Sequence, residues 1–338
     1  MIPVFSPSGQ IRPWQRELAE AVRCPAQLLR MLDLPQALLP AAQRAHRRFP
    51  LRVPHSFIRR MRRGDVRDPL LLQVLPHHGE LEAVAGFVAD PVGDHAAERL
   101  PGLLHKYHGR VLLVATGACA VHCRYCFRQH FPYGEANPRL DRWQASLDYI
   151  RADNSIREVI LSGGDPLSLR DDKLAELVAQ LEGIGHLRIL RLHTRLPVVL
   201  PSRVDEALLA WLAGSRLRPV LVVHINHPAE IDDELARALG RLRAAGVTLL
   251  NQSVLLRGIN DDVDVLARLS ENLFELGVMP YYLHALDRVA GSARFEVEEQ
   301  RARDLLTQLR NRLPGYLVPR LVREQAGAAS KLPMEKGG

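Results

Sequence analysis

Lysine is scarce in this chain. Of its 45 basic residues only four are lysines, Lys106, Lys173, Lys331 and Lys336; the remaining 41 are arginines. Cysteine is as scarce, with four in 338 residues. Three of those four crowd into one stretch, which is not the pattern of a disulfide framework. No run of about 18 apolar residues occurs, which excludes a transmembrane helix. The opening stretch, MIPVFSPSGQIRPWQRELAEAV, has no basic region followed by an apolar block, so it does not read as a secretory signal, and a cytoplasmic chain is expected. The net charge of +7 and a pI near 9.5 would suit nucleic acid. The arginine skew, with abundant Ala, Leu and Pro, reads instead as codon bias. The densest basic run, FIRRMRRGDVRD (57–68), reads as the solvated face of a helix. Neither nucleic acid nor a membrane is an expected partner.

What is present is 47% apolar residues and a rhythm. Apolar runs recur at RVLLVAT (110–116), EVILSGG (158–164), RILRLHT (188–194), PVLVVHI (219–225), TLLNQSVLL (248–256) and MPYYLHAL (279–286). Between them lie segments with apolar residues at three-to-four spacing, several opening on Asp and closing on Gly, as helix caps prefer. Strands alternating with helices predict βαβ units and a parallel sheet. Six units fall two short of an eight-fold barrel. The fold class is therefore α/β, a partial (β/α)6 barrel. An N-terminal, mainly helical region is expected over 1–100, with one short strand near AVAGFVAD (83–90). The barrel should occupy 101–294, and a C-terminal helix and loop 295–338. The predicted strand ends carry Ser162 to Asp165, His193-Thr194-Arg195, His224 to His227, Asn251-Gln252, and His284 with Asp287. In parallel α/β folds the site lies at these carboxyl ends.

The cysteines Cys119, Cys123 and Cys126 sit in TGACAVHCRYCFRQHFPY, directly after the first barrel strand. Taken alone they allow several readings. A structural zinc site needs a fourth ligand, which His122 or His130 could supply. A disulfide leaves one thiol over, and three buried structural thiols in one loop would be a coincidence. An iron–sulfur cluster normally takes four thiolates, so three would leave one iron open to an outside ligand.

The Cys-x3-Cys-x2-Cys spacing, the aromatic Tyr125 before the third cysteine and Gly163-Gly164-Asp165 at the next strand end resemble the radical S-adenosylmethionine (SAM) superfamily. That likeness implies a [4Fe–4S] cluster on Cys119, Cys123 and Cys126. It places Tyr125 near the adenine, Gly163, Gly164 and Asp165 at the methionine amino group, and His224, Asn251 and Gln252 around SAM. Further stretches, PGLLHKYHGR, SGGDPL, TRLPVVLP, HINHP, NQSVLLRGIND and MPYYLHALD, are similar to the lysine 2,3-aminomutase family over about residues 100–333. The likeness implies pyridoxal phosphate (PLP) as a second cofactor. Lys331, after the small-residue loop AGAAS, would be its Schiff-base lysine, and Lys106 and Arg110 would hold its phosphate. In such enzymes a deoxyadenosyl radical removes a β-hydrogen from lysine, and the amino nitrogen moves from the α to the β carbon.

By the same resemblance Arg128 binds the substrate carboxylate, while Asp287 and Glu324 bind its distal ammonium. Glu324 departs from the family's aspartate by one methylene. Asp262 stands where larger members carry a zinc-binding cysteine, which implies that their inter-subunit zinc site is absent. The short form resembles the branch that makes (R)-β-lysine from (S)-α-lysine for elongation factor P, with a separate ligase and a reducing protein such as flavodoxin or ferredoxin. Two alternatives stand beside it. One is an aminomutase of catabolism or osmolyte synthesis acting on lysine or another amino acid. The other, of a different class, is a zinc-stabilised basic binding protein.

Overall fold

A computed structural model of the chain describes residues 11–136 and 143–334. Lys336 and the first ten residues, on which the reading of the N-terminus partly rests, lie outside them. Six strands with the expected period form the centre: β3 (Arg110–Thr116), β4 (Glu158–Gly163), β5 (Ile189–Thr194), β6 (Arg218–Val223), β7 (Thr248–Val254) and β8 (Met279–His284). All six pair in parallel in sequence order. Each crossover carries a helix, and three of these begin as the Asp signals predict. The side chains of Asp205, Asp232 and Asp262 accept backbone N–H groups of the first turns of Glu206–Gly214, Asp233–Ala244 and Val263–Glu275. The α/β partial barrel is thus confirmed. No helix of the described residues is long and apolar enough to cross a membrane.

Four further strands extend the sheet to ten. A hairpin of β1 (Glu98–Leu100) and β2 (Leu103–Tyr107) lies antiparallel against β3. At the other edge β9 (Arg320–Arg323) runs parallel to β8, and β10 (Leu332–Pro333) turns back against β9. These runs are two to five residues long and too short for a period to show. The sheet is not closed by a ladder between its two edges. Side chains join them instead: Lys106 of β2 reaches Glu324, just past β9, at 2.8 Å.

Two local expectations fail. The run 83–90 is no strand; it makes only an isolated bridge, Val88 to Val289, and Gly86 at φ 81° turns the chain within it. The run 57–68 is helical only as far as Ile58. Its Arg60 points inward, with Nε 2.5 Å from Asp232 and Nη1 on the Val198 and Glu230 carbonyls. Buried acceptors in the barrel claim this arginine, so the run is not a uniformly solvated face.

The N-terminal region is packed as part of one hydrophobic core. That core runs without a break from Trp14 to Val278. The region also clamps the cysteine loop. Arg124, fully buried between Cys123 and Tyr125, forms a two-pronged ion pair with Glu80, which is itself buried. Its Nη1 also donates to the Phe49 carbonyl at 2.8 Å. Backbone bonds join Arg124 N to Gln73 O and His122 N to Arg52 O. Replacing Glu80 by Leu strands a buried guanidinium. We expect a loss of roughly 3–5 kcal/mol in unfolding free energy, measured by urea denaturation.

Candidate functional site

The carboxyl ends of the strands open into a cavity of about 1040 Å³. All three clustered cysteines line it, together with Lys331, Lys106, Arg110, Arg128, Asp287 and Glu324. Residues distant in sequence therefore share one space.

The cysteine half is shaped by glycine. Gly163 sits at φ 116°, and a Cβ there would come within 2.7 Å of the Thr116 carbonyl oxygen. A Cβ on Gly164 would lie 2.5 Å from the Ala118 oxygen. Only glycine lets the end of β4 lie against the cysteine loop. Two backbone bonds fix that approach, Gly164 N to Thr116 O at 2.7 Å and Asp165 N to Ala118 O at 2.8 Å. Asp165 is spent locally: its carboxylate accepts from Thr194 Oγ1, Leu167 N, Arg195 N and Leu196 N. Four partners fill a carboxylate's usual capacity. Asp165 thus ties β4 to the loop after β5, leaving no free acceptor for a ligand's ammonium.

Cys123 Sγ receives a hydrogen bond from Arg195 Nη1 at 2.8 Å. Burial, then the neighbouring Asp165, pushes the Cys119 thiol well up. Burial, then Cys123, lifts Cys126 to about 12. Among the described residues no three Cys, His, Asp or Glu side chains converge as a single metal ion needs. The two histidines considered for a zinc site are engaged elsewhere, His122 with the Pro50 carbonyl and His130 with the Ala290 carbonyl. A cubane cluster asks for a different arrangement, with each thiolate on its own iron.

The Tyr125 hydroxyl belongs to a buried network. It donates to Gln73 Oε1 and accepts from Arg195 Nη1 and Asn226 Nδ2, both at 2.6 Å. Glu230 anchors Arg195 at 2.9 Å. Gln73 and Glu230 carried no signal in the sequence, since neither lies in a motif or at a strand end. His224 contacts Gln252 at 2.7 Å. Burial and then Arg195 drop its pKa to about 3, so it is neutral. His193 and His284 are likewise pushed well below their ordinary value, mainly by burial, and their Nε2 atoms are buried without a partner. Asn251 faces away from the cavity. Its side chain is latched to the Ile225 N–H and carbonyl and to Ser253, because strand neighbours alternate faces and Gln252 takes the inner one. The expectation that Asn251 contacts SAM is corrected accordingly.

The other half is a row of alternating charges. Lys331 Nζ lies 2.5 Å from Glu324 Oε2, and Lys106 Nζ lies 2.8 Å from Glu324 Oε1. Lys106 also meets Asp94 Oδ1 at 2.6 Å, and Asp94 Oδ2 meets Arg128 Nε at 2.7 Å. Burial alone would raise the Glu324 carboxyl, but Lys331 and Lys106 hold it down to about 2. Asp287 faces the opposite balance: burial, then the charge of Glu324, lifts it to about 7. Lys106 also donates to the Val92 carbonyl at 2.9 Å, so this ammonium is already surrounded by Glu324, Asp94 and a backbone acceptor. Arg110 makes no ion pair among the described residues and lies over the Tyr107 ring at 4.8 Å. Of the two phosphate candidates, Arg110 is the less engaged with protein groups. Asp94, the hinge of the row, was missed in the sequence, being one acid in an irregular stretch.

A sequence model of the Radical SAM superfamily matches residues 113–269. The chain is 49% identical over 323 residues to the L-lysine 2,3-aminomutase of Escherichia coli (strain K12), covering 95% of this chain and 94% of that protein. It is 48% identical to the protein of that name from Haemophilus influenzae, covering 94% of each. To the one from Clostridium subterminale it is 38% identical, over 80% of this chain and 65% of that protein. Such a family implies a [4Fe–4S] cluster, SAM and PLP, and isomerase activity. Similarity at this level along nearly the whole length, over a partial barrel with three thiols at the mouth of its first strand, means that the chain belongs to the L-lysine 2,3-aminomutase family of radical SAM enzymes.

Proposed function

We propose that this enzyme converts (S)-α-lysine to (R)-β-lysine in a PLP-dependent reaction, and that the β-lysine serves the modification of elongation factor P. The observation that carries the reading is one cavity holding three thiols, a lysine beside two acids, and a buried arginine. When bound, the reduced cluster with SAM supplies a carbon radical able to remove an unactivated hydrogen, and PLP supplies the π system through which nitrogen changes carbon. Cys119, Cys123 and Cys126 would hold the cluster as thiolates, their protons released to solvent as iron binds. Gly163 and Gly164 would present backbone to SAM, with Tyr125, His224 and Gln252 around it. Asp165 would act by holding those glycines in place.

Lys331 is the attachment point for PLP, and Arg110 suits its phosphate. The substrate has one carboxylate and two amines, and the charge row matches it. Arg128 gives Nε to Asp94 and Nη1 to Ser162; its Nη2 has no protein partner among the described residues and can take a carboxylate. Commitment of the Lys331 nitrogen to a covalent bond frees Glu324 Oε2. That oxygen and Asp287 would then receive the substrate's distal ammonium. One Glu324 carboxylate meets Lys106 and Lys331 together. The elongation factor P branch is inferred from the sequence resemblance carried by HKYHGR and NQSVLLR.

Three outcomes test this. Anaerobic incubation of the reduced enzyme with SAM, PLP and labelled (S)-lysine should give (R)-β-lysine on chiral analysis; its absence would point to another amino acid as substrate. Borohydride reduction with PLP and peptide mapping should label Lys331, and a label on Lys106 refutes the assignment. Asp287 is neutral below about pH 7 and charged above it. The KM for lysine should therefore fall as pH rises through 7, by roughly tenfold, and Asp287→Asn should remove that dependence.

A further inference from the structure

The cysteine loop rests on residues 49–52, to which the proposed reaction assigns no role, although Phe49 and the loop's His122 also line the cavity. His122, next to Cys123, stacks on Phe49 with ring centroids 5.1 Å apart. Its Nδ1 is 2.8 Å from the Pro50 carbonyl, and its N–H bonds Arg52 O. Val53, beside Arg52, bridges to Val22, beside Arg23. The helix Leu39–Arg48 leads directly into this segment and ends in His46, Arg47 and Arg48. Arg23, Arg44, Arg47 and Arg48 are exposed. Among the described residues none of these four, nor Arg52, forms an ion pair. Arg48 and Arg52 bond only backbone carbonyls, those of Glu80 and Leu18. Residues 11–54 hold eight arginines against three acids. Of those acids, Glu17 bonds Ser202, Asp33 pairs with Arg63, and Glu20 is exposed. The Arg52 guanidinium senses both Arg23 and Cys119: burial and then Arg23 lower its pKa, against a smaller upward pull from Cys119.

We propose that this arginine face docks an acidic one-electron carrier protein that reduces the cluster. The inference rests on the assignment of a [4Fe–4S] cluster to Cys119, Cys123 and Cys126. One electron leaves the carrier's reduced centre and enters the oxidised cluster, taking it from the 2+ to the 1+ state, with no atom exchanged. Cys123 and His122 are covalent neighbours, so the segment that carries these arginines touches the residue beside a proposed cluster ligand. Unpaired like charges raise the potential of a surface and steer an oppositely charged partner, commonly by tenfold or more in rate at low salt.

The experiment uses anaerobically purified enzyme with its iron and sulfide measured. Reduction by reduced flavodoxin, an acidic carrier, is followed by cluster absorbance in a stopped-flow instrument. Arg44→Glu with Arg47→Glu should slow it at least tenfold at low salt and flatten its salt dependence. Photoreduced deazariboflavin, a small uncharged donor, should reduce variant and wild type alike. Arg237→Glu, the same kind of change on the exposed side of a crossover helix, should leave flavodoxin reduction unchanged. Equal flavodoxin rates for the double variant and wild type overturn the docking face alone. So does an equal loss in the Arg237 control, or loss of RNA binding with unchanged reduction. A wild-type protein without iron and sulfide overturns the cluster assignment as well.

Discussion

Five charges, Lys331, Glu324, Lys106, Asp94 and Arg128, stand in alternating sign along one wall of the cavity. Each would be costly to bury alone, and each is neutralised by its neighbour. The row also does what the backbone does not. The ten-stranded sheet has two open edges, and the Lys106–Glu324 pair joins β2 to the segment after β9. The short outer strands make sense on this view. They are poor strands by length, but they carry to one place the residues that six barrel strands alone could not bring together. A partial barrel leaves a wide mouth, and its charged wall lies where a large cofactor and a zwitterionic substrate would need partners.

The cysteine loop is held by a different means. Its inner side depends on backbone touching backbone at Gly163 and Gly164, and its outer side on the buried Arg124–Glu80 pair. A loop that must present three thiols to one cluster cannot wander, because preorganised ligands bind without paying again for their own ordering. The N-terminal helices are thus part of the site although none of their side chains is proposed to bind substrate. They fix the loop from below and leave an arginine-rich surface on its far side.

Much of the fold was legible in the sequence because its signals are local. Apolar runs and capped helical periods depend on residues a few positions apart, and all six parallel strands fall where the runs are. The cysteine spacing and the Gly-Gly pair are local signals as well. The failures have a common cause. The run 83–90 had strand composition, but a turn at Gly86 and the lack of a neighbouring strand to pair with left it one bridge. Asn251 and Gln252 are adjacent, and only the register of β7 decides that the glutamine faces in. Lys106 resembled a phosphate ligand by position, and in the fold it is engaged by Glu324, Asp94 and the Val92 carbonyl.

By itself the sequence determined the period of the barrel and the spacing that gathers three cysteines into one loop. These follow from residue type and spacing, which a chain keeps in any conformation. The tertiary structure alone decided which charges are spent on one another and which remain for a ligand. That Asp165 is a tie, that Asp94 links Lys106 to Arg128, and that Lys106 meets Glu324 are matters of distance between residues up to 218 positions apart. Coulomb energy and hydrogen bonding depend on those distances, and the linear order of residues does not contain them.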